Sequence, residues 1–107
     1  MNEEEKIIPP LLIRLERQYS LHAESLPAAP NIQAIKDALA ARIIELMNKD
    51  YPKFINGLYM LDINEDKVTT VLYSKEKDKI PLLIADLIIE RQIQKIITQN
   101  MYKEGKL

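Results

Sequence analysis

The chain of 107 residues carries 15 Lys and Arg against 16 Asp and Glu, 47% apolar residues and no cysteine. That is the size and composition of one ordinary globular domain with one core, too short for separate catalytic and regulatory modules and too apolar for a disordered chain. A formal net charge of −1 gives no sequence-wide attraction to nucleic acid or an anionic membrane, and without cysteine there is no disulfide, thiolate nucleophile, iron–sulfur cluster or Cys-ligated zinc.

Residues 1–30 read as an N-terminal arm and Pro-rich linker, and 31–107 as the helical body of a single domain. The opening Met1-Asn2-Glu3-Glu4-Glu5 is acidic where a secretory signal carries Lys or Arg, and the apolar run after it is interrupted by Pro9 and Pro10. No export signal is expected, and the absence of cysteine suits the cytoplasm. Between the proline pairs the spacing predicts a short amphipathic helix over 11–22, with Pro10 at its first turn and Leu11, Leu12, Leu15, Tyr19 and His22 on one face. Pro27 and Pro30 forbid a continuous helix across 26–30 and mark a linker. The apolar face of the arm must bury either on its own body or across a neighbouring chain.

Asn31 is a favourable N-cap for the clearest helix, 31–49, in which Ile32, Ile35, Leu39, Ile43, Leu46 and Met47 recur at spacings of three and four. Asp50-Tyr51-Pro52 ends that pattern and opens a short helix over 52–61 bearing Phe54, Ile55, Leu58, Tyr59 and Leu61, with Gly57 inside it at a cost of about 1 kcal/mol relative to Ala. Another short helix is expected over 64–73, capped by Asn64 or Asp62, with Glu65 and Asp66 at the positive end of its dipole and Val68, Val71 and Leu72 facing inward. The run Val68-Thr69-Thr70-Val71 suits a strand too, but no second strand exists to pair with it.

After the polar connection 74–79, Asp78 can cap a final helix over 79–100 with Pro81 in its first turn. Apart from Ala85 and Asp86, segment 80–89 is a run of large apolar residues with no clearly wet side, the mark of a helix enclosed by others or shared with a second protomer. It is too short to span a membrane. From Glu90 onward the apolar set narrows to Ile93, Ile96, Ile97 and Met101, while Arg91, Gln92, Gln94, Lys95 and Gln99 read as a solvated face. Lys103, Gly105 and Lys106 suggest a fraying, mildly basic tail.

The run Asp62-x-Asn64-x-Asp66 matches the first three ligand positions of an EF-hand loop. Lys67 then replaces the required Gly and Tyr73 the bidentate Glu, so helix capping explains these residues better than calcium. Two glycines cannot build a phosphate-cradling loop. His22 has no glycine-framed serine beside it and no second histidine to share a metal. Helices 52–61 and 64–73 imitate a helix-turn-helix, but the second opens with Glu65-Asp66, the wrong sign for a phosphate backbone. The loop lysines Lys75, Lys77 and Lys79 are diluted by Glu76 and Asp78. Asp86, Glu90 and Arg91 interrupt the most apolar helix, and charges in such places demand partners and are enriched at functional sites.

The sequence thus predicts an all-α fold, a small bundle of four to five helices with the long C-terminal helix central, helix 31–49 its main partner and a short N-terminal helical arm. It assigns no catalytic, cofactor-binding or metal-binding residues and no enzyme activity. By elimination the chain reads as a protein–protein interaction module, self-associating as a homodimer, with Leu11, Leu12, Leu15, Asp86, Glu90 and Arg91 as the contact candidates. The alternative is a small-molecule or lipid-binding bundle with Phe54, Leu58, Leu83 and Leu87 around a cavity, and a nucleic-acid-associated regulator comes third.

Overall fold

A computed structural model describes residues 3–105, which form five α-helices and two short 3-10 turns, with no strand among the described residues. Helix α1 spans Glu3–Tyr19, α2 Ile32–Lys49, α3 Tyr51–Met60, α4 Glu65–Leu72 and α5 Ile80–Lys103, and the 3-10 turns lie at Ala23–Ser25 and Lys77–Lys79. The architecture is the expected all-α bundle. Helix α5 packs against α1, α2 and α4, most extensively against α2, and α3 rests on α2. Leu11 and Leu15 from α1, Ile35, Leu39 and Ile43 from α2, Leu58 from α3, Val68 from α4 and Ile84, Ile88 and Ile96 from α5 are fully buried in one core. The Val68-Thr69-Thr70-Val71 run is helical, and Val68 is its one fully buried member.

Three helix starts follow local chemistry. Asn31 Oδ1 accepts from the Ala34 amide at 2.8 Å, and Asp50 Oδ1 from Lys53 at 3.1 Å. Asn64 Oδ1 accepts from both Asp66 at 2.8 Å and Lys67 at 3.1 Å. Each bond satisfies an amide that the helix itself leaves without a partner. Asp62 does not cap: it takes a φ of 59° at the corner between α3 and α4. Asp78 does not cap either. The chain enters α5 through the turn Lys77–Lys79, so the residue before the helix is Lys79, whose side chain makes no capping bond. Pro81 does occupy the first turn, where its missing N–H costs little. At the other end α5 continues to Lys103, past the expected stop at Asn100, before Gly105 turns at a φ of 73°. Met1, Asn2 and Lys106 lie outside the described residues.

The largest departure from expectation is α1. It starts eight residues before position 11 and carries Pro9 and Pro10 inside it. Neither proline has an N–H for the carbonyl four residues earlier, a defect that ordinarily stops a helix. Here Ile7 and Ile8, on the near side of the prolines, pack against the core together with Leu12, and that burial offsets the lost bonds. The helix also stops early, at Tyr19. Ser20 adopts a left-handed φ of 55°, Leu21 swings back into the core, and His22 is exposed, off the face it was expected to share. Arg42 of α2 fastens this end by donating from Nε to the Tyr19 carbonyl at 2.8 Å. The arm therefore lies on its own body.

Segment 80–89 does have a wet side. Ile80, Ile84, Ala85, Ile88 and Ile89 are buried, whereas Leu82 and Asp86 are exposed and Leu83 and Leu87 are half-buried.

Candidate functional site

The six contact candidates are spread across the molecule. Leu11 and Leu15 are fully buried beneath α1, and Leu12 is half-buried at the edge of the core. Asp86 Oδ1 meets Lys36 Nζ of α2 at 2.7 Å, and Glu90 Oε1 lies 3.8 Å from Lys67 Nζ of α4. Both carboxylates are about half exposed, and ion pairs of this kind contribute roughly 0–1 kcal/mol. Glu90 and Arg91 share a shallow cleft of about 140 Å³ with Asp62, Asn64, Lys67 and Gln94, while Asp86 does not line it. Arg91 donates to Gln94 Oε1 at 3.4 Å, and its Nε is buried with no hydrogen-bond partner. His22 lies in a separate cleft with Ser20 and Ser25, where Ser25 Oγ donates to the His22 main-chain carbonyl at 2.7 Å. Among the described residues no three His, Cys, Asp or Glu side chains are grouped to hold a metal ion.

Three residues expected on the solvated face, Arg91, Gln92 and Lys95, are enclosed in part or in full. Gln92, assigned to the solvated face, is fully buried: its Oε1 accepts from Arg14 at 3.2 Å, and its Nε2 has no partner. Arg14 also donates to Gln99 Oε1 at 2.9 Å, so one guanidinium of α1 bridges two glutamines of α5. Lys95 is half-buried and donates to the Leu61 carbonyl at 3.2 Å, where it satisfies the end of α3. On the helical wheel Gln92 falls between Ile88 and Ile96, which was the one available signal that it is enclosed.

A concavity with an aromatic wall lies between the end of α1 and the corner where α2 passes into α3. It is an open cleft of about 370 Å³ lined by Gln18, Tyr19, Leu46, Lys49, Asp50, Lys53, Phe54 and Gly57. Tyr19 and Phe54 meet edge-to-face with ring centroids 6.3 Å apart. Tyr19 is only 7% exposed, and its hydroxyl is buried with no hydrogen-bond partner. Burial pushes the phenol far above its usual titration range. Asp50 is engaged through its cap on Lys53 N. Of the residues expected to surround an apolar cavity, Phe54 lines this cleft; Leu58 is fully buried, and Leu87 lines the shallow cleft beside Glu90.

Comparison with known proteins finds no matching family model, no similar curated protein and no similar solved structure. No helix among the described residues is long and apolar enough to cross a membrane.

Proposed function

We propose that the chain is a non-catalytic helical interaction module that pairs with a second copy of itself through the outer face of the C-terminal half of α5. One observation supports this reading. Ile97 and Met101, spaced by four, form an apolar stripe on the side of α5 opposite Ile88 and Gln92 and are 41% and 37% exposed, and half-buried Ile93 continues it to the edge of the core. The front half of α5 buries most of its apolar residues inside its own chain, whereas this pair, one turn apart, stays exposed. A second copy is the favoured occupant because a two-fold axis sets such a stripe against its own equivalent, apolar on apolar, with no other surface required. From Ile93 to Met101 the stripe spans nine residues, about 12 Å of helix, so the pairing is expected to be weak and concentration-dependent. A cytoplasmic site of action, in keeping with the lack of cysteine, belongs to the same proposal.

Sedimentation equilibrium tests it. Between about 10 and 500 µM the mass should climb from 12.4 kDa toward a dimer, and Ile97→Glu should hold the chain monomeric with its helicity unchanged. A wild-type chain that stays monomeric across that range removes the proposal.

A further inference from the structure

We infer that the cleft between the end of α1 and the α2–α3 corner binds a small organic anion with a flat apolar body, an aryl phosphate or aryl carboxylate. This goes beyond self-association and uses a different face. Two features that work against stability and that the fold does not explain converge there, beside a pair of lysines. The Tyr19 hydroxyl is buried without a partner, although Phe would fill the same space without an orphaned donor. Gly57 lies within α3 at an ordinary backbone angle, and a Cβ built on it would meet nothing within 4 Å. Neither its conformation nor its packing calls for glycine, and Ala would favour the helix. What glycine provides is an open wall. Lys49 and Lys53, both lining the cleft, make no side-chain hydrogen bond or ion pair among the described residues. Local rules broken together in one place, without compensation, mark a site selected for something other than stability.

The chemistry of the lining sets the ligand. Two lysines against the single carboxylate of Asp50, itself occupied in capping, make the rim net positive. Leu46 and the Tyr19–Phe54 pair supply an apolar, aromatic wall. An anion's oxygen is an acceptor, which is what the Tyr19 hydroxyl lacks, and the ring must turn toward the cleft for the two to meet because the hydroxyl is fully buried. A volume of about 370 Å³ is at the small end of ligand sites and suits a single ring with its charged head.

The test is an amide NMR titration of the full chain with phenyl phosphate, with benzyl alcohol and inorganic phosphate as the uncharged and ringless controls. Phenyl phosphate should shift the Phe54 and Gly57 amides saturably with a Kd of about 1 mM, and each control should bind at least tenfold more weakly. Tyr19→Phe and Gly57→Ala should each raise the melting temperature by about 3 °C while weakening the probe at least fivefold. The double variant Lys49→Gln with Lys53→Gln should weaken it at least tenfold at an unchanged melting temperature. The inference fails if wild-type shifts do not saturate. It fails equally if the stabilised variants bind the probe as well as wild type, or if Tyr19→Phe melts lower, which would mean that the hydroxyl already has a partner.

Discussion

The two halves of α5 differ in how much apolar surface they carry and in where they put it. In 80–89 the aliphatics run almost all round the helix, and α2 and α4 close over most of them, so that Ile84, Ala85 and Ile88 have no exposure at all. In 90–103 the apolar residues are sparser, yet Ile97 and Met101 face outward while Gln92 is sealed inside against Arg14. Hydrophobic content alone does not say which residues of the rear half are buried. The neighbours do: around the front half they supply apolar side chains, and beside the rear half α1 supplies a guanidinium, which needs polar acceptors. Gln92 and Gln99 meet that need.

The sharpest way to break this contrast is to truncate one isoleucine from each half. Ile88→Ala should destabilise the chain by about 3 kcal/mol in urea unfolding, through lost burial and the cavity left behind, whereas Ile97→Ala should cost less than about 1 kcal/mol. Equal costs would mean that the rear stripe is enclosed after all. The next largest effect concerns the polar seal. Arg14→Ala strands the buried Gln92 amide and should cost about 2 kcal/mol; Gln92→Leu removes an unsatisfied donor and should be neutral or stabilising by about 1 kcal/mol. In the Gln92→Leu background Arg14→Ala should cost measurably less, and a double-mutant cycle reads that coupling directly.

Tyr19 extends the comparison to a second orphaned group. Its phenol titrates above the ordinary value of 10.0 when folded, so the folded state holds its proton more tightly than the unfolded chain. That contribution is complete below the unfolded value and is lost as pH rises above it. Melting temperatures followed from neutral pH to strongly alkaline conditions should therefore fall more steeply for wild type than for Tyr19→Phe. The smallest effect belongs to the front half's own charge: Asp86→Asn, which breaks an exposed pair with Lys36, should change stability by less than about 0.5 kcal/mol. A large loss there would restore Asp86 as a determinant of the bundle.

Features that depend on a few neighbouring residues were legible in the chain itself. Asn31 and Asn64 cap the helices they precede because a cap is a bond over two or three residues, and Asp50, read only as part of a break, caps α3 in the same way. Asp78 failed by the same logic, since one extra 3-10 turn moved the start of α5 beyond its reach. At the candidate cleft the glycine and the lysines could be seen but not their meeting, because Tyr19, Lys49 and Gly57 come from three different helices. Of the polar residues on α5, Glu90 is exposed as its charge suggests, whereas Gln92 is buried because its amide found Arg14 across 78 positions of sequence.

Amphipathic spacing, caps and the lack of a second strand were enough by themselves to determine an all-α bundle organised around a long last helix, since each is a short-range property of the backbone and its side chains. Only the tertiary structure decided that α1 would run straight through Pro9 and Pro10, that Ser20 would turn Leu21 inward and leave His22 outside, and that Gln92 would be buried while Ile97 was not. Those outcomes weigh a local penalty against burial or hydrogen bonding supplied by residues distant in sequence, and the size of that supply exists only once the helices have packed.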